Sequence, residues 1–155
     1  MTTSSSDIID LFMKRVDDYR LDAVYTTSGS LVFANYVEPW IMDASDEFDI
    51  CDQSLTYVVS GSATEGYFVE DLTMRNKILI SKLVVKYWFE RTVQNILQMN
   101  NSVTDRDFKT FSAAQNLSAK QSYLNSLKEE LSQDLMNYAY RNNDWAGWKN
   151  QQFDN

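Results

Sequence analysis

The chain has 155 residues, an apolar fraction of 44% and a formal net charge of −8. That length suits one domain, and so large an apolar fraction supports a folded core, which excludes an intrinsically disordered chain. The negative charge argues against ordinary duplex binding, because Lys and Arg must replace the counterions of the phosphates. Four Gly and one Pro favour helices over a turn-rich β fold.

The residue types argue against most catalytic and metal chemistry. The sequence has no His, the commonest general base, and its single cysteine, Cys51, cannot form an internal disulfide. We therefore predict no enzyme activity, no catalytic residue, no metal and no cofactor. The single cysteine also predicts that the protein resides in a reducing compartment. Carboxylates crowd residues 43–52, but without the central Gly of an EF-hand loop we interpret them as a solvated acidic face. No leader sequence and no run long enough to span a membrane is recognisable, which predicts an intracellular protein.

The chain begins with a polar segment, residues 1–6, which we predict to be a flexible lead before a single helical domain at 7–141. Ser6 or Asp7 should cap the first helix of that domain, which should end near Tyr19. Apolar residues recur at helical spacing along it: Ile8, Leu11, Phe12 and Val16.

Residues 26–30 are rich in Thr, Ser and Gly and predict a loop. A second helix should start within 31–35 and end near Ile50, and Pro39 should kink or restart it because proline lacks an N–H. Residues 53–70 predict either a small hairpin, from two β-branched and aromatic runs, or an irregular arm that lies on a neighbouring subunit.

The segment 71–99 predicts a long central helix with Thr73 as its N-cap. Its apolar residues fill several faces, so it must be covered on several sides. We expect a chain of this length to lack enough other elements for that, and predict a subunit interface at Ile80, Val84, Tyr87 and Arg91. The adjacent charges Glu90 and Arg91 are explained better by a half-buried ion pair or a subunit contact than by acid–base chemistry.

A connector at 103–111 and a last long helix ending near Arg141 complete the domain. The buried face of that helix is predicted to contain Leu117, Leu124, Leu127, Leu131, Leu135 and Tyr138. A C-terminal tail, residues 142–155, is too short and polar to form its own core but carries Trp145, Trp148 and Phe153. Because large aromatic residues concentrate in binding anchors, we predict that the tail docks on a partner, with packing back onto the same domain as the equal alternative. The predicted fold class is mainly α: a helical bundle with two long helices, an arm or small hairpin, and an extended tail.

Three features together resemble the head–tail connector, or neck adaptor, proteins of tailed bacteriophages. They are the run 68–73 before a long helix with Leu79 and Trp88, the connector 107–117 (Asp-Phe-Lys-Thr-Phe-Ser-Ala-Ala-Gln-Asn-Leu), and the closing helix with Asn137-Tyr138-Ala139-Tyr140. The likeness covers roughly residues 30–141.

The resemblance implies a virion structural protein without enzyme activity. Such adaptors form a homo-oligomeric ring, typically of twelve copies, which sits beneath the portal protein and receives the next neck or tail-completion protein. DNA would pass through the channel without specific binding, and acidic faces could line that channel. The resemblance implies assembly in the host cytoplasm, a final location in the virion neck, and no membrane partner.

The alternative function belongs to a different class: a small acidic DNA mimic that inhibits a nucleic-acid-binding protein. Such a mimic needs rows of carboxylates spaced like phosphates along one surface. The acids here cluster instead at 43–52, whereas the central helix carries Lys77, Lys82, Lys86 and Arg91. The sequence therefore favours the adaptor.

Overall fold

A computed structural model describes residues 2–16, 18–61, 64–102 and 110–142. The fold is mainly α with two long helices and a small sheet, which confirms the predicted fold class. In chain order the elements are β1 (Thr3–Ser4), α1 (Ser5–Met13), α2 (Tyr19–Ser28), α3 (Ser30–Glu47), β2 (Tyr57–Val58), β3 (Tyr67–Phe68), α4 (Met74–Ser102) and α5 (Thr110–Asn142).

Helix α1 is shorter than predicted. The Oγ of Ser4 accepts a hydrogen bond from the N–H of Ser6 at 3.3 Å and so satisfies one free donor of the first turn. The helix ends at Met13, and its buried stripe, which contains Ile8 and Phe12, packs against α3 and α4. The first helical segment therefore stops one and a half turns before the predicted end.

The loop predicted at 26–30 is wrong except at Gly29, because its first three residues end α2 and Ser30 begins α3. The hydroxyls of Thr26 and Thr27 donate to the carbonyl oxygens of Asp22 and Ala23, four residues earlier, at 2.7 and 2.6 Å. The chain turns only at Gly29, whose φ of 82° lies in the left-handed region that glycine adopts without a Cβ clash.

Helix α3 continues through Pro39 and does not restart there. Proline removes one backbone hydrogen bond, but the residues on either side of it, Val37, Trp40 and Ile41, are buried in the core. Their packing holds both halves in one helix. The helix ends at Glu47, close to the predicted position.

Residues 53–70 form the hairpin rather than the arm. Strands β2 and β3 pair antiparallel, with Tyr57 opposite Phe68. The prediction of a flexible lead is wrong, because β1 pairs with the other edge of β3, with Thr3 opposite Phe68, and gives the strand order β1-β3-β2. Thr3 is buried, and its Oγ1 accepts a hydrogen bond from the N–H of Leu72 at 2.8 Å.

Helix α4 lies at the centre of the fold, and α1, α3 and α5 all pack against it. Its predicted N-cap agrees with the structure, since the Oγ1 of Thr73 accepts from the N–H of Asn76 at 3.4 Å. Ile80 and Val84 have no exposed surface in the single chain. The expectation that one chain lacks enough elements to cover these residues is therefore wrong.

Helix α5 runs antiparallel to α4 and closes the bundle. Of its predicted buried face, Leu124, Leu131 and Tyr138 are buried and the other three leucines, at 117, 127 and 135, are half-buried. The helix already begins at Thr110, inside the predicted connector, and most of that connector lies outside the described residues.

Candidate interaction surface

Four aromatic rings form a continuous ladder from α2 along α3. Tyr25 and Phe33 have ring centroids 5.1 Å apart at 81°, Phe33 and Tyr36 lie 6.4 Å apart, and Tyr36 and Trp40 lie 5.2 Å apart at 78°. These separations and angles fall in the range favoured by aromatic pairs. Residues 33, 36 and 40 share one face because three- and four-residue steps bring side chains together on a helix.

Arg91 of α4 extends this aromatic ladder. Its guanidinium carbon lies 5.5 Å from the ring centroid of Tyr36 and 5.7 Å from that of Trp40, within reach of cation–π attraction. Glu90 points elsewhere, since its Oε1 lies 2.8 Å from the Nζ of Lys128 on α5. The ion pair considered for Glu90 and Arg91 is therefore wrong, because neighbouring residues of a helix do not face each other.

The outer side of α2 and α3 exposes five large apolar side chains, which we call the outer α2–α3 surface: Val24, Tyr25, Val32, Tyr36 and Met42. Val32 is 58% exposed and Tyr36 is 43% exposed. In α2, only Leu21 is buried among the residues whose side chains are described, and the main contacts of α2 are with α3. The surface thus combines exposed apolar groups with rings that the buried Phe33 and Trp40 hold in place.

Tyr87 belongs to a contact within the chain. Its hydroxyl donates to the Oε2 of Glu47 at 2.7 Å, and the ammonium of Lys86 contacts the same oxygen. Burial, followed by the hydrogen bond to the Glu47 carboxylate, raises the pKa of Tyr87 well above its ordinary range. The cluster joins the end of α3 to the middle of α4.

The four predicted interface residues therefore occupy different environments. Ile80 and Val84 are core residues, and Tyr87 is half-buried beside Glu47. Arg91 alone among them is exposed, and it lies beside the aromatic ladder. The structure contradicts the interface at Ile80 and Val84, and an interface that includes Arg91 stays a prediction.

A buried carboxylate holds the hairpin against α3. Glu38 is 8% exposed, and its Oε1 accepts from the N–H of Ser60 at 2.7 Å and from the hydroxyl of Tyr57 at 3.1 Å. The hydroxyl of Ser60 also donates to the second oxygen of Glu38 at 2.7 Å. Burial and then the charge of Glu38 raise the pKa of Tyr57 far above its ordinary value. Each carboxylate oxygen of Glu38 is therefore hydrogen-bonded, which offsets the cost of burying it.

A second polar cluster joins the loop after α3 to both long helices. Tyr138 donates from its hydroxyl to the Oδ1 of Asp52, and the Nδ2 of Asn76 donates to the same oxygen at 3.0 Å. These two hydrogen bonds, with Tyr138 the larger cause, lower the pKa of Asp52. Burial raises the pKa of the adjacent Cys51 thiol, so this sulfur lacks the thiolate character that a reactive cysteine needs.

Within the described part of the chain, no group of three His, Cys, Asp or Glu side chains is arranged to hold a metal ion. No helix in the same residues is long and apolar enough to cross a membrane. The predicted docking residues Trp145, Trp148 and Phe153 lie outside the described residues.

No protein-family model, no curated protein and no solved structure matches this chain. Sequence reasoning missed the aromatic ladder, although Phe33, Tyr36 and Trp40 stand at helical spacing. The three- and four-residue spacing of these aromatic residues was the available signal. It did not distinguish a buried face of a helix from an exposed one, because both show the same spacing.

Proposed function

We propose that this chain is a structural adaptor of a phage neck, which forms a ring beneath the portal protein and joins the DNA-filled head to the tail. The observation that carries the proposal is the outer α2–α3 surface, because exposed apolar side chains beside a rigid aromatic ladder suit a protein–protein contact. The mainly helical fold supports the proposal as well, since helices would form the body of such a ring.

The neighbouring copy in the ring is the proposed occupant of this surface. Exposed carboxylates flank its apolar side chains, Asp22 on α2 and Asp43 and Asp46 on α3. A complementary surface on the neighbouring copy should therefore be basic. A contact between two different faces of identical chains closes into a ring when the rotation between them is a fraction of a full turn.

The proposal is tested by light scattering and negative-stain imaging of the purified chain, alone and with the portal protein of the same phage. We expect rings alone or on the portal, and we expect Val32→Glu to abolish them by placing a charge in the apolar contact. Met136→Glu is the matched control, because Met136 is equally exposed, at 58%, but lies on α5. A chain that stays monomeric and does not bind the portal would overturn the adaptor.

The DNA mimic is less well supported by the arrangement of charges. Five carboxylates of the described residues are paired with lysines of α4: Asp7 and Asp71 with Lys77, Glu47 with Lys86, and Glu130 and Asp134 with Lys82. Paired carboxylates present a weaker field to a DNA-binding protein than free ones do. Competition with DNA for a nuclease or repressor, at physiological salt, would support the mimic against the adaptor.

A further inference from the structure

A groove of about 700 Å³ lies between α4 and α5. It is apolar and cationic at once, since its lining includes Arg75, Ile78, Leu79, Lys82, Tyr140 and Arg141. The residues from α5 lie at the C-terminal end of that helix, which ends at Asn142.

Two of the groove's three cations have no carboxylate of the described residues within ion-pair distance. Lys82 is paired with Asp134 at 2.7 Å and with Glu130 at 2.9 Å. Arg75 and Arg141 form no ion pair with any carboxylate of the described residues, and the guanidinium of Arg75 lies 4.4 Å from the ring centroid of Tyr138. The groove therefore suits an aromatic group that has a carboxylate beside it.

We propose that the occupant of this groove is the aromatic segment 143–155 of the same chain. The segment places an acid next to an aromatic residue twice, at Asp144-Trp145 and at Phe153-Asp154, and has Trp148 between them. In this proposal an indole packs on the apolar side chains of Ile78 and Leu79, and the carboxylate of Asp144 pairs with the guanidinium of Arg141. This assigns the tail the second of the two roles that the sequence left open, packing onto its own domain.

The distances along the chain favour the same chain over a second copy. Trp145 follows Asn142 by three residues, which span roughly 10 Å when extended. The α5 wall of the groove, from Asp134 to Arg141, is also roughly 10 Å long at the helical rise. A tether this short raises the effective concentration of the segment to about the millimolar range, so a modest contact suffices to hold it.

The proposal is tested on the full chain with fluorinated tryptophan and fluorine NMR. The four tryptophans give four signals, and replacing Trp145 and Trp148 by Phe, one at a time, assigns the two from the tail. We expect at least one tail signal to differ from that of a free peptide of residues 143–155. Arg141→Glu should shift that signal to the free-peptide position.

Lys14→Glu is the matched control, because Lys14 is also an exposed basic residue at a helix C-terminus, that of α1. It should leave the tail signals unchanged. Circular dichroism checks that the variants keep their helices. Tail signals at the free-peptide position in the unmodified chain, an equal shift in both variants, or signals that change on dilution would overturn the proposal. It does not depend on the adaptor function, since light scattering of the same samples reports ring formation separately.

Discussion

The hydroxyl of Tyr138 donates a hydrogen bond to the carboxylate of Asp52, a residue 86 positions earlier in the chain. In return, the backbone N–H of Asp52 donates to the Tyr138 oxygen at 3.1 Å. The Tyr138 ring also packs edge-on against Phe48, with centroids 4.9 Å apart. One side chain thus ties the last helix to the loop that precedes the hairpin.

Removing the hydroxyl should weaken the fold in an acid-dependent way. Tyr138→Phe should lower the free energy of unfolding at neutral pH by about 1 kcal/mol, the usual net value of a hydrogen bond. The pKa of Asp52 is lowered in the folded chain, so its contribution is present above the ordinary value of about 3.9 and is lost as the pH falls through the folded-state pKa. Urea unfolding at several pH values should therefore show the difference between the two proteins shrinking below about pH 4. Tyr123→Phe, at an exposed position, is the control and should change little.

Unfolding at alkaline pH gives an independent test of the hydrogen bond between Tyr138 and Asp52. Burial, followed by the hydrogen bond to Asp52, raises the pKa of Tyr138 to about 12. A raised pKa means that this contribution to stability is complete below the unfolded-state value of about 10 and is lost as the pH rises towards 12. We expect the unmodified chain to lose stability across that window faster than Tyr138→Phe. Identical alkaline profiles for the two proteins would contradict this.

Gly66 should not tolerate a side chain. A Cβ at this position would collide with the Tyr57 hydroxyl and with the Oε1 of Glu38, the pair that holds the hairpin to α3. Gly66→Ala should lower the free energy of unfolding by about 1–3 kcal/mol, as overpacking does. The control is Gly61→Ala, whose Cβ would meet, among the described residues, the side-chain oxygen of Thr64 at 2.9 Å and no other atom, and which should cost less. Thermal unfolding of both variants checks the order.

Glu38 and Tyr57 should be energetically coupled. Glu38→Ala leaves the Tyr57 hydroxyl and the Ser60 N–H without their acceptor, which should cost about 1.5–3 kcal/mol. In a double-mutant cycle with Tyr57→Phe, the two losses should fall short of additivity by about 0.5 kcal/mol or more. Glu38→Ala combined with the distant Tyr123→Phe should be additive. Additivity in both cycles would show that the hydrogen bond between Tyr57 and Glu38 contributes nothing to stability.

The apolar side chains of α4 should be buried by the other helices of the same chain, without a second copy. Ile80→Ala should cost about 2–5 kcal/mol, because it leaves a cavity in the core, whereas Val59→Ala, at a 56% exposed position, should stay within about 0.5 kcal/mol. In the Val32→Glu variant, which should not form rings, chemical unfolding should give the same midpoint at every protein concentration. A midpoint that rises with concentration would mean that a second copy contributes to the cover.

The long central helix was predictable because its signals are local. Thr73 caps it, no Gly or Pro interrupts it, and its apolar residues repeat at helical steps. Its environment was not predictable, because Ile80 and Val84 are buried within a helix on which α1, α3 and α5 pack, and the positions of those helices follow from the whole topology. A pattern shows which faces are apolar, but it does not show how many neighbours the rest of the chain supplies.

Two further misses have physical causes. The segment Thr26-Thr27-Ser28 has the composition of a loop, yet both threonine hydroxyls find acceptors inside α2. Strand β1 has no β pattern of its own, and Thr3 and Ser4 become a strand because β3 offers them an edge. In the candidate surface, the position of Arg91 beside Tyr36 and Trp40 was not predictable, because its neighbours on α3 could not be read from the pattern of α4.

The pairing of β1 with β3 also has a consequence for the order of events during synthesis. Thr3 lies opposite Phe68, so the sheet cannot be completed until residues near 70 have emerged from the ribosome. Closing so long a loop is slow compared with forming local turns. The segment that carries Thr3 must therefore wait, unpaired, while the residues up to Phe68 are translated, and chaperones or early neighbours have their best access to Ile8 and Ile9 during that interval.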